Sequence, residues 1–162
     1  MPRPAFELDL LVPGPPEQVW GRLWDLGRHT AAIPLTTVAT TRASLDADAP
    51  ADRARGDDAG PDLAPGTSFT ARTALGPFAL DDDMVVRAWD PPRHAVIEKV
   101  GRILTGTIEV DLRPAGPDSR LRWAQSFGAT LGAARVPDAL AGLAAGPVRT
   151  AYRRALQRIA RP

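Results

Sequence analysis

The sequence predicts an α+β domain: a strongly curved antiparallel sheet wrapped around one long C-terminal helix, with two short helices after the first strand. Three observations predict it. A single strand pattern leads into a short helical segment, tightly turned strand patterns fill residues 66–129, and residues 137–162 carry a helical apolar stripe. That stripe needs a sheet face to cover it, and an antiparallel sheet needs only one of its faces covered.

The composition suits one domain spanning residues 1–162. A chain of 162 residues can bury about two-thirds of its unfolded surface. With 44% hydrophobic and 24% charged residues it is globular in type. The net charge of +1 gives no field that would recruit nucleic acid or a membrane surface. Cysteine is absent, which removes disulfides, thiolate metal sites and Cys nucleophiles. The only histidines are His29 and His94, so no metal or cofactor is called for. No apolar leader or spanning run is present, and a cytoplasmic location is expected. Lys99 is the single lysine among 19 arginines.

Each element has its own signal. In "FELDLLVP", Phe6, Leu8 and Leu10 alternate with Glu7 and Asp9, the pattern of a half-buried strand. Pro15 and Pro16 suit a helix's first turn, where a missing N–H costs nothing, and Glu17 favours the positive end of its dipole. Val19, Trp20, Leu23, Trp24 and Leu26 recur at helical spacing, Gly27 is placed to cap that helix, and "RHTAAI" gives a second short turn. After a β-rich "LTTVATTRA", the Asp-, Pro- and Gly-rich stretch at about 45–65 reads as a mobile insertion. Successive antiparallel strands follow: "TSFTARTAL", "FALDDDMVVRAW", "HAVIEKV", "ILTGTIEVDL" and "RLRWAQSFGA". In the last helix Leu140, Ala144, Val148, Tyr152, Ala155 and Ile159 form the stripe, Arg149, Arg153, Arg154, Arg158 and Arg161 lie opposite, and Gly146-Pro147 should kink or restart it.

Alternation also assigns faces. Ile108, Val110 and Leu112 point inward, as do Met84 and Val86, and as do Trp123, Gln125 and Phe127. Asp82 shares the inward parity, so a cationic partner such as Arg72 or Arg102 is expected for it. Of Glu98 and Lys99 one must face inward, and the reading chooses Glu98.

This order resembles the START/SRPBCC superfamily, the helix-grip fold shared with birch-pollen-type allergens and polyketide cyclase/dehydrase-like proteins. The resemblance is carried by "PPEQVWGRLWDLGRH", "PGTSF", "WDPPR", "SRLRW" and "GPVRTAYRRALQRI". It implies a cavity between sheet and long helix that holds an apolar ligand such as a lipid, isoprenoid or aromatic polyketide. The walls would be Trp20, Leu23, Trp24, Phe69, Met84, Val86, Trp123, Phe127, Val148 and Tyr152, with Arg72, Glu98 and Gln125 as polar anchors. A ligand binder is therefore preferred to an enzyme. Two alternatives stay open. One is an aromatase/cyclase-type enzyme using His29, Asp82 or Tyr152 for proton transfer, and the other is a protein-interaction module. A void of several hundred Å³ would favour a ligand, and a filled grip the interaction module.

Overall fold

The computed structural model describes residues 5–33, 35–41, 63–75, 78–126, 128–131, 134–135 and 138–162. The chain order is β1 (Phe6–Val12), α1 (Pro16–Leu23), α2 (Leu26–Ala32), β2 (Thr36–Thr41), β3 (Ser68–Leu75), β4 (Phe78–Asp90), β5 (His94–Val100), β6 (Leu104–Ala115), β7 (Asp118–Gln125), β8 (Gly128–Leu131), β9 (Ala134–Arg135) and α3 (Asp138–Ile159). Seven strands form one antiparallel ribbon in the order β1-β7-β6-β5-β4-β3-β2, and β8 and β9 extend from β6. This is the predicted helix-grip architecture, a curled sheet with three helices.

Alternation drives the burial. Phe6, Leu8, Leu10 and Val12 are buried on β1, while Glu7, Asp9 and Leu11 are exposed. The register sets Leu8 and Val110 on either side of Trp123, so three core residues meet across neighbouring strands. From the helical side Ala155, Leu156, Ile159 and Ala160 complete the core, with Val148 and Tyr152 half-buried against it. The five arginines predicted on the opposite side of the helix are exposed. Leu140 and Ala144 lie outside the residues whose side chains are described.

Four local readings change. Trp24 closes α1 as its C-cap, and Asp25 begins α2 by accepting from the Gly27 and Arg28 amides at 2.9 and 3.2 Å. Gly27 therefore sits in the first turn of α2 and caps nothing; the capping carboxylate two residues earlier supersedes it. The helix α3 does not restart at Pro147 but continues through it. The run predicted as one strand over 120–129 ends at Gln125, and β8 starts at Gly128. Residues 42–62, which hold most of the predicted insertion at about 45–65, lie outside the described residues; Leu63, within the predicted bounds, is buried in the core rather than exposed.

Candidate functional site

Between the sheet's inner face, α2 and α3 lies a cavity of about 70 Å³. Its walls are mainly apolar. Phe69, Met84, Ile97 and Trp123 face it from the sheet, Trp24 and Leu26 from the short helices, and Tyr152, Leu156 and Ile159 from α3. Clefts that hold drug-sized molecules measure roughly 300–1,000 Å³. The grip is thus neither empty on that scale nor filled.

Of the residues predicted to form the wall, Trp24, Phe69, Met84, Trp123 and Tyr152 line the cavity. His29 and Asp82 line it as well. Trp20, Leu23, Val86 and Gln125 are buried beside these residues but do not border the void, and Val148 is only packed against the core. Phe127 lies outside the described residues. The opening helix is a wall through Trp24, with Trp20 as its backing: their rings lie 5.7 Å apart, and Trp89 packs on both at 5.0 and 4.9 Å.

Two predicted anchors are overturned. Arg72 is on the outer face, 62% exposed, and pairs with Asp81 at 3.7 Å. Glu98 also points outward, where its carboxylate accepts from Arg87 at 2.5 Å. The residue turned inward on β5 is Lys99, only 4% exposed, because its parity is that of Ala95 and Ile97, which are fully buried against β4 and β6. Its ammonium donates to Asp82 Oδ2, and Asp82 is 14% exposed. The partner of the inward carboxylate is therefore Lys99, not Arg72 or Arg102.

Polar atoms inside this site are incompletely used. Asp82 Oδ1 and the Trp24 indole N–H have no hydrogen-bond partner among the described residues. Trp123 donates from Nε1 to Gln125 Oε1 at 3.2 Å, and Gln125 Nε2 donates to the Tyr152 hydroxyl at 3.5 Å, so one chain of bonds ties β7 to α3. His29 Nε2 lies 2.6 Å from the Leu23 carbonyl, which fixes it as the protonated nitrogen of the neutral ring. Burial lowers the His29 pKa below its ordinary value, and the bond to the carbonyl offsets this only in part. That leaves Nδ1 as the ring's acceptor.

The outer face of the sheet carries the charge. Arg122 joins Glu7 at 2.7 Å and Asp111 at 3.1 Å, while Arg120 grips Asp9 through several bonds. These guanidinium bonds lower the pKa values of Glu7 and Asp9. His94, Glu109 and Asp111 bring donor atoms within 4.8 Å of one another there. His94 Nδ1 already lies 3.0 Å from Asp111, and Arg122 occupies the acidic pair, so the cluster is explained without a cation.

No family model matches the chain, and no curated protein matches it in sequence. Solved structures do match in shape. Ara h 8.0201, of the Bet v 1-like helix-grip fold, gives a TM-score of 0.59 at 16% identity over 95% of each chain. TTHA0849 from Thermus thermophilus gives 0.61 at 12% identity over 94% of each chain. CV1439 from Chromobacterium violaceum gives 0.62 at 11% identity, covering 96% of this chain and 94% of its own. At such identities the likeness establishes the fold alone. Among the described residues, no helix is long and apolar enough to cross a membrane.

Proposed function

We propose that the protein binds a small hydrophobic molecule in the cavity between sheet and α3. The observation that carries this reading is an apolar void that retains unused polar atoms in its walls, Asp82 Oδ1 and the Trp24 N–H. A core that served packing alone would leave neither, since buried polar groups are ordinarily partnered. The START/SRPBCC likeness supports the same class of ligand: a lipid, isoprenoid or aromatic polyketide-like body. At about 70 Å³ the cavity is less than half the roughly 150 Å³ of an apolar cavity known to hold benzene, so even a single-ring ligand requires its walls to move. Met84, unbranched and adaptable, is the wall residue best suited to yield.

A second reading has one observation in its favour. His29, Asp82 and Tyr152, the three groups able to move a proton, all border the same void, as a cyclase-type enzyme would need.

Titration with toluene, followed by the emission of Trp24 and Trp123, tests the binding reading. Saturable binding is expected for wild type and for Arg158→Glu on the exposed side of α3. Ala155→Phe, which fills the void from α3, should weaken it at least tenfold. No saturable binding by wild type, or equal binding by Ala155→Phe, would overturn the proposal.

A further inference from the structure

We infer that the Lys99–Asp82 ion pair is the anchor of this cavity, and that it selects a ligand bearing a neutral hydroxyl, a phenol or alcohol, on its apolar body. The inference rests on the binding reading above and specifies the chemistry that the site recognises.

Both partners line the void and come from adjacent strands, Asp82 from β4 and Lys99 from β5. Withdrawing such a pair from water costs several kcal/mol per ion, and good geometry repays this only when the remaining donors and acceptors are also satisfied. Here they are not. One carboxylate oxygen accepts from Lys99, and the other accepts from nothing among the described residues. An ammonium offers three donors, of which Asp82 takes one. Side by side on one apolar wall there is thus, among the described residues, a buried acceptor without a donor and a donor group with capacity to spare.

The charges decide which ligand group fits. An anion drawn to Lys99 meets the Asp82 carboxylate, and a cation drawn to Asp82 meets the ammonium. A carbonyl can accept from Lys99 but gives Asp82 Oδ1 nothing. A hydroxyl does both with one atom, donating its proton to Oδ1 while its oxygen accepts from Nζ. Hydrogen bonds to charged groups are the stronger kind, and the low polarity of the surrounding walls strengthens them further. Lysine is also the right cation for the place. A compact ammonium leaves space beside the carboxylate, whereas a guanidinium fork would cover it bidentately. The chain uses arginine at its 19 other basic positions and lysine only here. His29, the remaining titratable group on the short helices that borders the void, is held neutral by burial and does not alter this balance.

Three probes of one shape test it: toluene, p-cresol and 4-methylbenzoate, each titrated into the wild-type protein. The expectation is that p-cresol binds about tenfold tighter than toluene, and 4-methylbenzoate at least tenfold weaker than p-cresol. The double variant Asp82→Leu/Lys99→Met removes the pair without stranding either charge. Whatever its absolute affinity for toluene, it should lose the preference for p-cresol over toluene. If toluene binds but p-cresol binds no tighter, water alone satisfies the pair, and the anchor is refuted while the cavity stands. A preference for p-cresol that survives in the double variant refutes it too, as does 4-methylbenzoate binding as tightly as p-cresol. If no probe binds, the binding reading itself fails.

Discussion

Trp123 offers the sharpest test of how the grip is held together. It is 3% exposed, lies between Leu8 and Val110 in the sheet register, borders the cavity, and donates to Gln125 from its indole nitrogen. Trp123→Phe keeps most of the ring but removes that donor, leaving Gln125 Oε1 buried without it, at a cost of about 1–3 kcal/mol. Trp123→Ala also removes the ring, and large-to-small aromatic changes in cores cost roughly 3–5 kcal/mol. The enlarged cavity then admits water to Gln125, so the two penalties do not simply add, and about 4 kcal/mol is expected for Ala. Urea unfolding followed by far-ultraviolet circular dichroism gives both values without relying on the deleted fluorophore. Added indole should return part of the Ala variant's stability by refilling the void. A cost for Trp123→Ala below about 1 kcal/mol would refute the packing and the inward parity of β7 together. Equal costs for the two variants would show that the hydrogen bond, not the ring, carries the energy.

Other expectations concern smaller terms. His29 has its pKa lowered by burial, so as pH falls below its ordinary 6.5 the unfolded chain takes up a proton before the folded one does. Stability should therefore fall from about pH 6.5 down to the folded-state pKa, and His29→Gln should remove that part of the slope in unfolding measured between about pH 7 and 5. Asp25→Ala deletes the cap of α2 and should cost about 0.5–2 kcal/mol in the same unfolding assay, with Asp25→Asn costing distinctly less. Arg120→Ala breaks the pair with Asp9 on the solvent-exposed outer face and should leave stability nearly unchanged. A larger loss there would mean that the outer-face charges act as one network.

Much of the fold was legible because its signals repeat. Alternation on β1, β6 and β7 was unambiguous, since Glu7, Asp9, Arg120 and Arg122 mark the outer face wherever the other face is apolar. The buried set on α3 was mostly legible from its spacing, though Leu156, fully buried and bordering the cavity, lies one position beyond the predicted stripe. The boundary between α1 and α2 was missed for a local reason. Glycine at 27 looked like a stop, while Asp25 carried the stronger start signal by offering its carboxylate to two amides. In the site, the large apolar walls were readable and the polar anchors were misread. Arg72 has the parity opposite to the inward Phe69, and alternation already points it outward, whereas Glu98 lies on a strand whose two faces both carry apolar residues, so alternation alone left its direction undecided.

The strands β4 and β5 show what would have decided it. In "MVVRAWD", strict alternation buries Ala88 and Asp90 with Met84 and Val86, and turns Trp89 outward. The structure instead bulges between Val86 and Ala88, so that Trp89 faces inward opposite Ala95 and closes on Trp20 and Trp24. Packing a half-buried tryptophan against the core and freeing an aspartate offsets one unpaired residue in the ladder, and Arg87 turns outward to meet Glu98. Charge then fixes the parity of β5. Asp82 and Lys99 are diagonal neighbours across the strand pair, since Met84 stands opposite Lys99. Turning Glu98 inward would have brought a second carboxylate toward Asp82 in an apolar wall and left Lys99 outside. With like charges so costly in that setting, only the Lys99 parity leaves each carboxylate with a cation on its own face. Neither strand contains that answer by itself; it follows from pairing the inward aspartate of β4 with the one residue of β5 able to neutralise it.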